Sequence, residues 1–179
     1  MQFKATVVKV YDGDAILVQR DTGHQIKLRI LAIDAPERRQ AYGGQAHAYL
    51  QERLLGKEVM VESIETDAYQ RWVSRVYLDG LDIGQEMITV GLAWPYFKFF
   101  DRLTAAEQSM YRKAHKKAKA RRLGLWADGK AVAPWTWRYE QRILRATELQ
   151  EQSQEELQDD VERERQNASL WSRIKSFFS

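Results

Sequence analysis

Phe3-Lys4-Ala5-Thr6-Val7-Val8-Lys9-Val10, Tyr11-Asp12-Gly13-Asp14, Ala15-Ile16-Leu17-Val18-Gln19-Arg20, Asp21-Thr22-Gly23 and Gln25-Ile26-Lys27-Leu28-Arg29-Ile30-Leu31-Ala32-Ile33 form the stretch that decides the fold. β-branched residues recur in it with turn residues between them, which predicts three strands joined by two tight turns. In the third strand Ile26, Leu28 and Ile30 lie on one face of the pleat, and Arg29 points to the other with Lys27 and Leu31. Arg29 is therefore aimed away from the main apolar row.

Working outward, residues 44–55 carry Ala46, Ala48, Tyr49, Leu50 and Leu54 in a helical pattern that Gly56 ends. Residues 57–64 and 72–78 predict two more strands, and Asp79-Gly80 marks a tight turn. Short and long helices follow over 83–90, closed by Gly91, and over 104–122, with Gly124 beyond its end. Five short strands with interleaved helices predict an α+β fold: a five-stranded OB-type β-barrel with about three packed helices. Residues 138–165 contain no Gly or Pro and are rich in Glu, Gln and Arg, which predicts a long exposed helical tail. The expected organisation is one barrel domain over 1–137 and a charged helical tail over 138–179.

With 44% hydrophobic and 30% charged residues, the composition is that of a soluble globular protein. No apolar run is long enough to cross a bilayer, and the first residues lack a secretory pattern, so a cytoplasmic location is expected. The absence of cysteine excludes disulfides, thiolate catalysis and cysteine-ligated zinc. His24, His47 and His115 are far apart and lack metal-motif spacing. Oxygen donors remain, and these suit calcium or magnesium. The net charge of +3 is uneven: residues 1–137 sum to +5 and residues 138–179 to −2. A basic body fits a polyanionic partner.

Two carboxylate clusters stand out, Asp12-Gly13-Asp14 at the first turn and Asp34-Ala35-Pro36-Glu37 after the third strand. Alone, the first is an ordinary hairpin turn and the second a strand exit. Together they can bring Asp12, Asp14, Asp34 and Glu37 to one rim of a barrel, where they repel one another unless a cation binds. Pro36 forces Ala35 into an extended conformation, so the Ala35 carbonyl can be fixed beside the Asp34 carboxylate.

These residues resemble the first signature of the staphylococcal nuclease (thermonuclease-like) family: Asp12-Gly13-Asp14, Arg29-Ile30 and Ile33-Asp34-Ala35-Pro36-Glu37. The second signature resembles Asp67-Ala68-Tyr69-Gln70-Arg71 running into Val73-Ser74-Arg75-Val76-Tyr77. Val90-Gly91-Leu92-Ala93-Trp94 and Leu123-Gly124-Leu125-Trp126 extend the likeness, which covers roughly residues 1–137. The resemblance implies a calcium-dependent nuclease that hydrolyses DNA and RNA phosphodiesters and leaves 3′-phosphates. It implies calcium ligation by Asp14, Asp34 and the Ala35 carbonyl, with Asp12 supporting. Glu37 falls in the general-base position, and Arg29 and Arg71 fall where guanidinium groups bind the phosphate.

The sequence departs from the family at Ala15 and Ala35, where threonine is frequent, and at Gln70, where glycine is usual. A backbone carbonyl survives the Thr-to-Ala change. A positive φ at Gln70 would force a rearranged loop and move Arg71. Tyr69 and Phe97 are expected substrate-binding aromatics, the latter from a cluster of Trp94, Tyr96, Phe97 and Phe99 near Lys98 and Arg102. The alternative reading is a binding module, the same barrel with a dead site that holds nucleic acid or a protein partner. Beyond Asn167, Leu170, Trp171, Ile174, Phe177 and Phe178 gather on one helical face, with Arg173 and Lys175 off it. Residues 167–178 are thus a candidate contact for the barrel itself, for a partner protein or for a membrane surface.

Overall fold

The computed structural model describes residues 1–177, with side chains described through residue 167. The side chains of the stripe Leu170, Trp171, Ile174, Phe177 and Phe178 lie outside what is described. The chain divides into two compact units, Met1–Pro134 and Trp135–Ser179. Among the described residues no helix is long and apolar enough to cross a membrane.

The first unit is a closed barrel. Its strands are β1 (Gln2–Val10), β2 (Ala15–Gln19), β3 (Gln25–Ile30), β5 (Glu58–Thr66) and β6 (Trp72–Leu78), with shorter β4 (Ile33–Asp34), β7 (Leu81–Asp82) and β8 (Trp94–Pro95). Sheet order is β3-β2-β1-β5-β6-β7, and a parallel pairing of β3 with β6 closes the ring. β1 shows the alternation that drives this: Phe3, Ala5 and Val7 are buried, and Lys4 and Thr6 between them are exposed. After Val7 the register shifts by a bulge, so Val10 turns inward and Lys9 outward. Ile16, Val18, Ile26, Leu28, Ile30, Val61 and Val76 fill the interior, all 5% exposed or less.

Helix α1 (Gly43–Leu54) covers the barrel with Ala46, Leu50 and Leu54. Helix α2 (Ile83–Thr89) starts on Asp82, whose side chain accepts from the Gln85 amide. Helix α3 (Ala105–Ala120) opens with a capping box: Thr104 Oγ1 accepts from the Glu107 amide, and Glu107 Oε2 accepts from the Thr104 amide. Tyr111 of α3 is buried and donates its hydroxyl hydrogen to the Asp82 carboxylate, which ties α3 to the start of α2. The second unit is one helix, α4 (Pro134–Phe177), whose described residues beyond Arg138 are exposed apart from the half-buried Gln141.

Two departures from the sequence expectation shape the site. The third strand does not run to residue 33. It breaks at Ala32, which takes φ 58°, and resumes as β4 in a different pairing, opposite β8. That break turns Asp34 out of the barrel wall and towards Arg29. Gln70 does take a positive φ, 59°, in a turn where Asp67 Oδ1 accepts from the Tyr69 and Arg71 amides on either side of it.

Candidate active site

The first turn and the end of β3 are stitched together by backbone before any side chain is considered. The Ile30 amide donates to the Asp14 carbonyl at 2.8 Å, and Ala15 stands opposite Arg29 in the β2–β3 register. The Asp14 amide donates to Asp12 Oδ1 at 3.0 Å, which folds the turn on its own carboxylate. A Cβ on Gly13 would lie 2.6 Å from Ala35 Cβ and 2.8 Å from Ala46 Cβ, so the turn packs this closely against Ala35 and α1 only as glycine.

On this frame Asp14 and Asp34 converge on Arg29. Arg29 Nη1 lies 3.1 Å from Asp14 Oδ2, and Nη2 lies 3.0 Å from Asp34 Oδ1. Nη1 also donates to the Ile30 carbonyl at 3.1 Å and the Ile33 carbonyl at 2.8 Å. Asp14 Oδ2 accepts a further bond from the Ala35 amide at 2.7 Å. Asp14 and Asp34 are 5% and 1% exposed. Burial pushes the Asp14 carboxyl up to about 8 against the pull of Arg29, and the nearby Asp12 and Asp34 charges push the same way. Without a further cation, burial thus favours the uncharged form of Asp14.

Glu37 is half-buried and follows directly. Its amide donates to Gln40 Oε1 at 3.2 Å, and its carbonyl accepts from the Gln40 amide at 2.8 Å. Gln40 is itself buried and donates through Nε2 to the Val132 carbonyl at 2.7 Å. This residue anchors the Glu37 turn to chain far away in sequence. Gly43 seals the turn: a Cβ there would lie 1.8 Å from the Glu37 carbonyl oxygen.

Arg71 and Tyr69 form a second group. Asp67 Oδ1 accepts from the Tyr69 and Arg71 amides at 2.9 and 3.0 Å, and Asp67 Oδ2 accepts from Arg71 Nε at 2.8 Å. The Arg71 guanidinium stands 5.4 Å from the Tyr69 ring centroid, and Tyr69 is 81% exposed. Leu28 and Trp72 are partners in the parallel β3–β6 register, so Arg71, one residue before Trp72, projects on the same outer face as Arg29. Phe97 is placed elsewhere: it packs against Phe100 at 4.8 Å, with the Arg112 guanidinium 4.8 Å from its ring centroid.

Asp14 is thus in contact with Asp12, Arg29 and the Ala35 amide, Arg29 also with Asp34, Glu37 is joined through the backbone, and Arg71 lies on the same sheet face with Tyr69 beside it. Sequence reasoning missed Gln40 and Asp67. Asp67 had a signal, since an Asp two residues before a turn amide is a usual turn former. Gln40 had none, because its partner is 92 residues away.

Among the described residues no group of three or more His, Asp or Glu side chains stands ready-made for a metal. The two converging carboxyl groups are nevertheless hard oxygen donors of the kind calcium takes, and a bound cation would favour the charged form of Asp14. These oxygen donors are compatible in chemistry with a calcium ion.

The model of the family described as staphylococcal nuclease homologue matches residues 27–128. A protein named micrococcal nuclease from Shigella flexneri is 37% identical over 147 residues, covering 76% of this chain and 80% of that one. An uncharacterized endonuclease from Haemophilus influenzae is 33% identical over 144 residues, covering 80% of this chain and 78% of its own. Protein ParB from Escherichia coli is 34% identical over 148 residues, covering 78% and 81%. With the barrel, the Arg29-centred carboxylates and these likenesses in agreement, the chain belongs to the staphylococcal nuclease homologue family.

Proposed function

We propose that this protein is a calcium-dependent endonuclease that hydrolyses phosphodiester bonds of DNA and RNA and leaves 3′-phosphates, and that Met1–Pro134 is its catalytic unit. The observation that carries the reading is the convergence of buried Asp14 and Asp34 on Arg29, on the sheet face that Arg71 shares, with Glu37 three residues beyond Asp34. Asp14, Asp34 and the Ala35 carbonyl would hold the ion, with Asp12 ordering the turn behind them. Calcium bound there supplies Lewis-acid polarisation of the phosphate.

The chain's own groups do the rest. Arg29 uses both Nη1 hydrogens and one Nη2 hydrogen on protein acceptors. Its Nε hydrogen and second Nη2 hydrogen remain as a fork matched to two phosphate oxygens. Arg71, steadied by Asp67, meets the extra charge of the pentacoordinate transition state. Glu37 takes a proton from the attacking water, whose oxygen bonds to phosphorus as the P–O5′ bond breaks. The 5′-oxygen leaves and takes a proton from solvent, Glu37 returns its proton to solvent, and the phosphate stays on the 3′ side. Tyr69, exposed and beside Arg71, offers a face to a neighbouring base.

The test is digestion of DNA and RNA with calcium and with excess chelator, followed by analysis of the new ends. Cleavage only with calcium, and 3′-phosphate termini, are expected; efficient cleavage in chelator overturns the metal role. Magnesium, which demands near-octahedral geometry, is expected to support much less turnover.

A further inference from the structure

The outer face of the barrel beside the candidate active site carries an organised set of cations that the proposed reaction does not use. Lys9 on β1 is the register partner of Leu17 on β2, and Leu17 is the partner of Lys27 on β3. Register partners share a face of the sheet, so these three side chains form one row across the strands. Arg71 extends that row on the β6 side, because it precedes Trp72, the partner of Leu28. The next row is Tyr11, Ala15, Arg29 and Val73: the Tyr11 amide donates to the Ala15 carbonyl at 2.9 Å, and Ala15 and Val73 flank Arg29 in register.

Tyr11 gathers the two lysines. Lys9 Nζ lies 4.9 Å and Lys27 Nζ 4.5 Å from its ring centroid. Two ammonium groups drawn to one ring repel each other, and among the described residues neither is paired with a carboxylate. Lys4, earlier on the same strand, shows the ordinary alternative, an ion pair with Glu58 at 2.8 Å. The arrangement lacks only an anion. Lys27 and Arg29 are two residues apart on one strand, about 6.8 Å along it, a spacing suited to successive phosphates of an extended strand.

We propose that Lys9, Tyr11 and Lys27 form a phosphate-binding platform for the nucleic-acid strand adjoining the scissile bond. Lys9 and Lys27 bind a neighbouring backbone phosphodiester, and Tyr11 is a positioning residue that holds their ammonium groups. This rests on the reading of Arg29 as a scissile-phosphate ligand. It extends the contact surface from one phosphate to a short track and makes affinity depend on substrate length.

The full chain carrying Glu37→Gln is used for binding, with and without Lys9→Ala plus Lys27→Ala, against a single-stranded oligonucleotide of about 8 residues. Fluorescence anisotropy over a salt series is expected to show a log–log slope shallower by about 0.7 per lost phosphate contact. At about 0.1 M salt the Kd should rise roughly tenfold, in line with loss of a phosphate contact. With Glu37 intact, KM for the oligonucleotide should rise in parallel at unchanged kcat, and KM for a dinucleotide with a single phosphate should not move. Tyr11→Phe, which keeps the ring face, should bind as wild type, and Tyr11→Leu should lose part of the affinity. Lys57→Ala plus Lys130→Ala removes the same charge from exposed positions outside the row and is expected to have the smaller effect. An unchanged slope in the Lys9/Lys27 variant overturns the platform, as does an equal change in the Lys57/Lys130 control. Failure of the wild type to cleave would instead count against the nuclease reading, and the binding series would still decide the platform.

Discussion

Arg29 is oriented by the fold before any substrate arrives: two carboxylates and two backbone carbonyls converge on its Nη atoms. A lysine could present one ammonium to these acceptors but could not keep a planar fork pointed outward. Arg29→Lys is therefore expected to lower kcat by at least about 100-fold while circular dichroism stays native. Near-wild-type turnover in that variant would remove Arg29 from the reaction. At this scale the sequence was legible where chemistry depends on residue type. Asp14, Asp34 and Arg29 were marked by turn chemistry and strand parity, and the structure brings them into contact. Conformation was less legible. Ala32 at φ 58° and Gln70 at φ 59° occupy a region their side chains disfavour; no local pattern announces Ala32, and Gln70 is marked only by standing where the resembled family has glycine. Asp67 compensates at Gln70 by accepting both neighbouring amides, so the turn that places Arg71 is held by a side chain where glycine would have made it easy.

The elements carry the site through their ends, and two of these ends can be tested. Helix α1 begins against the Glu37 turn, where a Gly43 Cβ would overlap the Glu37 carbonyl, whereas a Cβ on Gly44 would meet nothing within 4 Å. Gly43→Ala should displace Glu37 and lower kcat, on the order of 100-fold for a displacement near 1 Å. Gly44→Ala should be active, with equal or higher thermal stability. Equal kcat for both variants would show that Glu37 does not depend on this contact. The entry to β6 has a pH signature. Burial pushes the Asp67 carboxyl up, but bonds from the Arg71 amide and guanidinium outweigh it, so the group sits below its ordinary 3.8. The folded protein then holds fewer protons here than the unfolded chain, so this contribution is complete above the ordinary value and is lost as pH falls through and below 3.8. Urea midpoints measured from pH 6 downward should fall less steeply for Asp67→Asn than for wild type. Parallel curves would show that Asp67 titrates alike in both states. Strand existence was readable from β-branched residues recurring between turn signals, down to β6 over Trp72–Leu78, although four consecutive residues of β6 are buried. The ending of β3 was not, because β4 owes its pairing to β8, some sixty residues on.

At the scale of the molecule, every residue assigned to the reaction lies in the unit Met1–Pro134, and the charge is divided likewise, +5 over residues 1–137 against −2 over the remainder. The boundary of what catalysis needs is nevertheless set by one hydrogen bond late in that unit. Gln40 holds the Glu37 turn with its amide oxygen and the Val132 carbonyl with its amide nitrogen. A chain ending after residue 149 keeps Val132 and all of the barrel, and its calcium-dependent cleavage of free DNA should stay within about twofold of the full chain, since distant independent changes add little. A chain ending after Ala127 keeps every proposed catalytic residue but loses the Val132 acceptor and leaves the buried Gln40 amide without its partner, a cost of about 1–3 kcal/mol. That shorter chain should fall in kcat more than in KM, because what it loosens is the placement of the general base. The comparison is read by steady-state cleavage together with thermal melting of both truncations. Loss of cleavage in the 149-residue chain while it remains folded would assign α4 a part in the reaction. Full activity in the 127-residue chain would show that Gln40 needs no anchor beyond the Glu37 turn itself.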